Sequence, residues 1–179
     1  MIWEQMRDIW LGLPKEPGEN LPRQASLTAS KLGPILTHCW RFRKTDDSSY
    51  TIEHMGNFVT EAWGKDMTGR NFVETIAEVD RSSLLRLYDK VLKHPCGMFF
   101  RREAEKGDGG LYRLTTVGFP FADGNGQPTV IAGTYEVEKI AQERPFSGVM
   151  EFETAVLLDY RLIDLGAGVP AHRAISTGA

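Results

Sequence analysis

The sequence is poor in most of the features that announce a chemistry. Its 179 residues include two cysteines, Cys39 and Cys96, far apart in the chain. Two thiols so separated make neither a disulfide framework nor a zinc knuckle, and they point to a reducing, cytoplasmic setting. No apolar run approaches the ~18 residues of a membrane helix, so no membrane insertion is expected. The opening Met1-Ile2-Trp3-Glu4-Gln5 carries acid early and lacks the basic-then-apolar order of a signal peptide. Positive charge is not in excess: 21 Lys and Arg stand against 24 Asp and Glu, a formal net charge of −3. The basic residues are dispersed, and the densest group, Arg41, Arg43 and Lys44, reads as a solvated strand face. Nothing here is built to neutralise phosphates, so no nucleic-acid partner is expected.

Catalytic signatures are missing too. There is no Gly-x-Ser-x-Gly, no His-Glu-x-x-His and no carboxylate pair in a recognisable setting. Glu103 and Glu105, near Arg101 and Lys106, read as surface charge. Gly166-Ala167-Gly168-Val169-Pro170-Ala171 has the letters of a dinucleotide fingerprint. Pro170, however, sits where a helix would run, and too few residues follow for a βαβ unit, so it reads as a turn. Gly64-Lys65-Asp66 lacks the hydroxyl residue that follows a phosphate-loop lysine. No catalytic residue is assigned and no enzyme is expected.

What is present is a change of period. Ile2, Met6, Ile9 and Leu13 recur at helical spacing, flanked by Trp3 and Trp10, and Gly12 and Pro14 end that helix. Residues 14–23 are rich in Pro, Gly and charge. A short helix is expected over Leu27–Leu32 with Ser26 as its cap. The period then falls to two. His38, Trp40 and Phe42 share one strand face and Tyr50, Ile52 and His54 the matching face of the next, a hairpin with one apolar side. Phe58, Ala62 and Trp63 fit a short helix ending at Gly64. Phe72, Val73, Ile76 and Val79 suggest another. Asp80 is placed as the cap of a longer helix carrying Leu84, Leu87, Tyr88 and Val91. Strands are expected over Met98–Glu105, Leu111–Phe121 and Thr129–Val137, joined by Gly107-Asp108-Gly109-Gly110 and Asp123-Gly124-Asn125-Gly126, loops with strong hairpin chemistry. Further on, Phe152, Val156, Leu158, Tyr160 and Leu162 alternate as a strand would, whereas Ala155, Leu158, Leu162 and Leu165 fit a helix; extended structure is preferred. The end, from about Val169, reads as disordered.

Hairpin, helices, three-strand meander is the order of the PAS fold. The run from Tyr50 to Gly56, followed by Ala62-Trp63-Gly64-Lys65-Asp66-Met67-Thr68-Gly69-Arg70, resembles a family of single-PAS-domain bacterial proteins common in alphaproteobacteria. Leu21-Pro22-Arg23 and the closing run from Leu165 to Pro170 are similar to that family as well. The resemblance implies an α+β fold: a five-stranded antiparallel sheet in order 2-1-5-4-3 with helices on one face, plus the N-terminal amphipathic helix. Residues 1–20 then form the helix and linker, 21–138 the PAS domain, and 139–179 a partly disordered C-terminal extension. A non-enzymatic sensory or signalling module is implied, acting through a small ligand, a protein partner or both. The alternatives are a small α+β cavity enzyme of the NTF2-like type and a ligand-free interaction domain.

No cofactor is expected. Gly69-Arg70-Asn71-Phe72 resembles the Gly-x-Asn-Cys turn of flavin photoreceptors, but Phe72 replaces the thiol that forms the adduct. His94, the nearest approach to a haem ligand, lies at the last turn of the long helix, where it suits the carbonyl end. Metal ligands are not assigned. A ligand cavity is expected among His38, Trp40, Phe42, Tyr50, Ile52 and His54 from the hairpin, Trp63, Phe72, Leu87 and Tyr88 from the helices, and Tyr135 from the last meander strand. This lining suits a small apolar or aromatic ligand between Trp40, His54 and Trp63. Ile2, Trp3, Met6, Ile9, Trp10 and Leu13 are the candidate homodimer interface, with packing onto the chain's own sheet as the alternative. Any signalling output requires a partner protein.

Overall fold

The computed structural model describes residues 1–76, 78–142 and 156–171. Expectations that rest on Phe152 and Ala155, and on the chain beyond Ala171, lie outside those residues. Helix α1 spans Ile2–Gly12, α2 Ala29–Leu32, α3 Asn57–Trp63 and α4 Glu78–Lys93. Strands β1 (Cys39–Lys44) and β2 (Tyr50–Met55) form the first hairpin. Strands β3 (Cys96–Glu105), β4 (Gly110–Ala122), β5 (Pro128–Gln142) and β6 (Val156–Asp164) follow. All neighbours are antiparallel, in the order β2-β1-β5-β4-β3-β6. The expected order 2-1-5-4-3 is there, and it sets aside the NTF2-like arrangement. Among the described residues the sheet has six strands rather than five, because the alternation of Leu158, Tyr160 and Leu162 is a strand that pairs with β3.

Local chemistry explains the turns. Asp123 Oδ1 accepts from the amides of Asn125 (2.8 Å) and Gln127 (2.9 Å), and Gly126 takes the positive φ (83°) that closes the β4–β5 loop. Asp164 Oδ1 similarly accepts from Gly166 and Gly168, so the fingerprint-like run is the turn it was read as. Boundaries shift where capping was misjudged. Helix α2 starts at Ala29 rather than Leu27, and α4 starts at Glu78, with Asp80 inside its first turn where its charge meets the helix dipole. The helix expected after Phe72 is a single 3-10 turn, Phe72–Thr75, which leaves Val79 exposed.

Helices cover both faces of the sheet, not one. On the first face α3, the Phe72–Thr75 turn and α4 enclose a core containing Trp40, Phe42, Phe72, Tyr88, Met98, Phe100 and Leu114. On the second, α1 and the segment from Leu27 to Cys39 pack on Phe99, Val117, Phe119, Phe121 and Val130. Trp3, Met6, Trp10 and Leu13 are buried there, and Trp10 Nε1 donates to the Pro120 carbonyl at 2.8 Å. The apolar stripe of α1, expected to seek a second copy of the chain, is therefore covered by the chain's own sheet. Only Ile2 and Ile9 of the proposed interface stay half-buried. Among the described residues, no helix is long and apolar enough to cross a membrane.

The centre of the sheet leaves no room at Gly133. A Cβ there would lie 1.7 Å from the Val117 carbonyl oxygen, backbone that cannot retreat without breaking the β4–β5 ladder. Gly133→Ala should lower stability by about 3 kcal/mol or more, measured by urea unfolding. A change under about 0.5 kcal/mol would mean that the strands are not this close. Trp10→Phe keeps most of the apolar contact but orphans the Pro120 carbonyl. It should cost about 1–3 kcal/mol in the same measurement, whereas an α1 that projects from the domain would register almost nothing.

Candidate functional site

Between the five strands β1 to β5 on one side and α3 and the Phe72–Thr75 turn on the other lies a cavity of about 370 Å3 including its mouth. The enclosed free space within it is only about 20 Å3. That is room for a water molecule or two as it stands. The lining is Trp40, Phe42, Ile52, Met55, Val59, Trp63, Met67, Phe72, Arg102, Thr116 and Tyr135. Six of these were expected: Trp40, Phe42, Ile52, Trp63, Phe72 and Tyr135.

The back wall is an aromatic stack. Trp40 lies on Phe42 (centroids 4.2 Å apart, 29° between planes), and Phe42 lies on Phe72 (4.1 Å, 24°). Trp40 Nε1 donates to the Thr134 carbonyl (3.1 Å), so its polar edge is already used. Phe72 holds its place because Asn71 Oδ1 accepts from both Val73 N and Tyr50 N, each at 3.1 Å, tying the turn to the start of β2. Of the lining, only Met55 and Trp63 are half-exposed, and they form the mouth. Trp63 ends α3, which Gly64 stops in the left-handed conformation (φ 76°).

Five expected residues do not line the cavity. Tyr50, Leu87 and Tyr88 are buried, but in the packed core; Tyr50 and Tyr88 meet edge to face at 5.1 Å. His38 is half-buried at the end of a 3-10 turn, its Nδ1 hydrogen-bonded to the Tyr135 carbonyl (3.2 Å) and its ring 4.0 Å from that of Phe58. His54 is displaced by a β-bulge. Arg41 faces His54 in the β1–β2 register but Phe42 faces Ile52, so one extra residue enters β2 between them. Past the bulge the parity reverses, and Met55 takes the lining position that uninterrupted alternation gives to His54.

Sequence reasoning missed Met55, Val59, Met67, Arg102 and Thr116. A signal for Arg102 existed: it shares its parity in β3 with Met98, Phe100 and Ala104, all buried. Four polar atoms in and behind this lining are buried without a partner: Arg102 Nε, Thr116 Oγ1, Tyr135 Oη and Tyr88 Oη. Burial pushes the Tyr135 phenol up to about 12, against the opposing charge of Arg102, and it raises Tyr88 as well. Both phenols therefore stay protonated donors at neutral pH.

Other groups suit no chemistry. Cys39 and Cys96 are buried, and burial raises their thiols to about 12 and about 11, far from a reactive thiolate. His94 Nε2 is hydrogen-bonded to the Gly168 carbonyl (3.0 Å), fastening the segment after β6 rather than the end of its own helix. Among the described residues no three His, Cys, Asp or Glu converge as metal ligands. A second hollow, between Gly18–Leu21 and Leu92–Pro95, is roomier and more open; its one buried polar atom without a partner is Glu19 Oε2, whose carboxylate is already paired with Arg23.

Residues 3–136 match the PAS domain family, and the chain belongs to it. That family is one of sensory and signalling modules. No curated protein matches the chain.

His54 yields a pH test. Partial burial, reinforced by the charge of Arg41 and opposed by Asp66, lowers its pKa below the usual imidazole value. Unfolded, it takes up a proton near pH 6.5; folded, it resists until lower pH. In that window the unfolded state binds more protons, so stability falls as pH drops through it. His54→Gln should make the fall in melting temperature from about pH 7 to about pH 5 shallower. Superimposable profiles would show that folding leaves His54 free to protonate.

Proposed function

We propose that this PAS domain is a non-enzymatic sensor that admits a small apolar or aromatic molecule to the cavity beside Trp40, Phe42 and Phe72 and reports its presence to a protein partner. The carrying observation is an aromatic slot that opens only past Met55 and Trp63 and holds buried polar atoms without partners. Such a mixture is the usual make-up of a small-molecule site. Two methionines, Met55 and Met67, touch through Met55 Sδ and the Met67 amide (3.3 Å) and supply the adaptable side of the wall. A ligand that enlarges the slot displaces Trp63 and the end of α3, and that moving surface is what a partner would read.

The small free volume favours a second reading, an interaction domain whose aromatics fill the space by themselves. Tryptophan emission separates the two, since Trp40 and Trp63 both line the slot. A metabolite library should contain compounds that shift emission and raise the melting temperature, with the emission change reduced in Trp63→Phe. Native mass spectrometry of the purified chain should show the same class of molecule retained. A library that leaves both readouts flat would leave the interaction domain standing.

A further inference from the structure

Arginines on the strands of this protein find carboxylates. Arg41 and Arg43 pair with Glu53, Arg101 with Asp159 (2.6 Å) and Arg113 with Glu103 (3.0 Å). Arg161 on β6 has no such pair but lies exposed over the Trp3 and Phe99 rings; the buried exception is Arg102. It is the most buried of these, at 7% exposure, and among the described residues no carboxylate lies within ion-pair distance of it. Its Nε has no acceptor, and its guanidinium packs 5.2 Å from the centre of the Phe100 ring. A buried charge without a counter-charge is among the most costly arrangements a fold can hold.

Two further donors share the lining. Thr116 Oγ1 and Tyr135 Oη are buried, at 4% and 2% residue exposure, and neither hydroxyl finds an acceptor, the Trp63 indole beside the phenol being a donor only. Thr116 and Tyr135 are direct cross-strand partners in β4 and β5. Phe100, opposite Thr116 in β3, is two residues from Arg102 on the same face. Guanidinium and two hydroxyls therefore converge on one part of the cavity, and every other lining residue is aromatic, aliphatic or a thioether.

We propose that this cluster is the recognition site for a monocarboxylate with a short apolar or aromatic tail, the carboxylate on Arg102, Thr116 and Tyr135 and the tail along the Trp40–Phe42–Phe72 stack. The inference rests on the ligand-cavity reading and specifies its chemistry. One cation and no anion in the lining call for a single negative charge, and the planar guanidinium fork matches a carboxylate. A phosphate monoester brings nearly twice the charge and a third oxygen, and this cavity has no second cation for it. Tail length is limited by the small free volume and by how far Met55, Met67 and Trp63 yield.

The test compares hexanoate and phenylacetate with hexanamide and phenylacetamide, uncharged molecules of nearly the same shape, with acetate as the ionic control. Melting temperature and tryptophan emission are read on the full chain, wild type and Arg102→Met, Arg102→Lys and Thr116→Val. Hexanoate or phenylacetate should bind, with the matching amide weaker by about tenfold or more. Arg102→Met should abolish that preference while raising the melting temperature of the unliganded protein by a few degrees, since the uncompensated charge is gone. Thr116→Val should weaken the acids several-fold and leave the amides unchanged, a readout that survives if Arg102→Met fails to fold. Amides binding as well as acids, or acids binding Arg102→Met undiminished, would overturn the carboxylate assignment and leave the cavity reading intact. Neither acids nor amides binding, while neutral library compounds do, would overturn it in the same way. A cavity that takes no compound of any class would end both.

Discussion

In the middle of this sheet every apolar strand position has an apolar neighbour pointing the other way. Leu114 and Gly118 of β4 face α4 and α3, while Val117, Phe119 and Phe121 face α1; in β5, Ile131 and Tyr135 oppose Val130 and Ala132. Neither face can be left to water, because successive side chains of a strand point to opposite sides. That constraint decides the fate of the N-terminal helix. Its two tryptophans are not a surface awaiting a partner but the cover of the second face, with Phe99 meeting Trp3 edge to face at 6.1 Å and the Trp10 indole fixed to Pro120. It also makes the central glycines necessary, since β4 and β5 approach closely at Val117–Gly118 and Gly133 and a side chain there has nowhere to go.

With one face closed by α1, the other can hold a cavity. Its back and floor are strands in a rigid ladder; its front is α3, two turns of helix ended by a left-handed glycine, and a 3-10 turn pinned by Asn71. Rigid donors behind and an adaptable front suit a sensor, because the sheet fixes where the polar end of a ligand sits and the short helix registers whether it is there. The bulge in β2 contributes by placing the flexible side chain of Met55 at the mouth. His54 lies off the lining instead, beside Arg41 and Asp66 in its electrostatics.

Much of this was legible in the sequence, for definite reasons. Period two and the Gly-Asn-Asp loops gave the strands, and the i, i+3, i+4 spacing of Leu84, Leu87, Tyr88 and Val91 gave α4; the strand order came from the likeness of that element order to the PAS fold. Part of the site was legible for the same reason: Trp40, Phe42 and Ile52 are placed by strand parity, and Phe72 by the apolar spacing of Phe72, Val73 and Ile76. What failed were features that break periodicity. No residue in Arg41-Phe42 or Ile52-Glu53-His54 announces a bulge, so His54 was given the inward face that Met55 holds. Tyr50, Leu87 and Tyr88 were rightly inward, but whether an inward residue meets a void or a neighbour depends on packing that no pattern encodes. The cover on the second face was foreseen only as the alternative to a dimer interface, because an amphipathic helix looks the same whether it docks on its own sheet or on another molecule.

Arg102 shows why a polar residue at an apolar parity is informative. Any methionine or leucine at that position would satisfy the pattern of β3 and remove the uncompensated charge, so folding alone gives no reason for an arginine there. Unpartnered polar atoms cluster where function requires a group that the fold does not itself satisfy. Thr116 fits the same logic: valine is nearly isosteric and would bury no hydroxyl. Of the nine such atoms among the described residues, Trp3, Glu19, His54, Thr134 and Glu136 carry five, and four belong to this region. Three lie in one lining, and the fourth, on Tyr88, comes from the helix packed behind it, where the Arg102 charge is felt. What sets Arg102, Thr116 and Tyr135 apart from the others is that they share one cavity wall, where an acceptor from outside can meet all three.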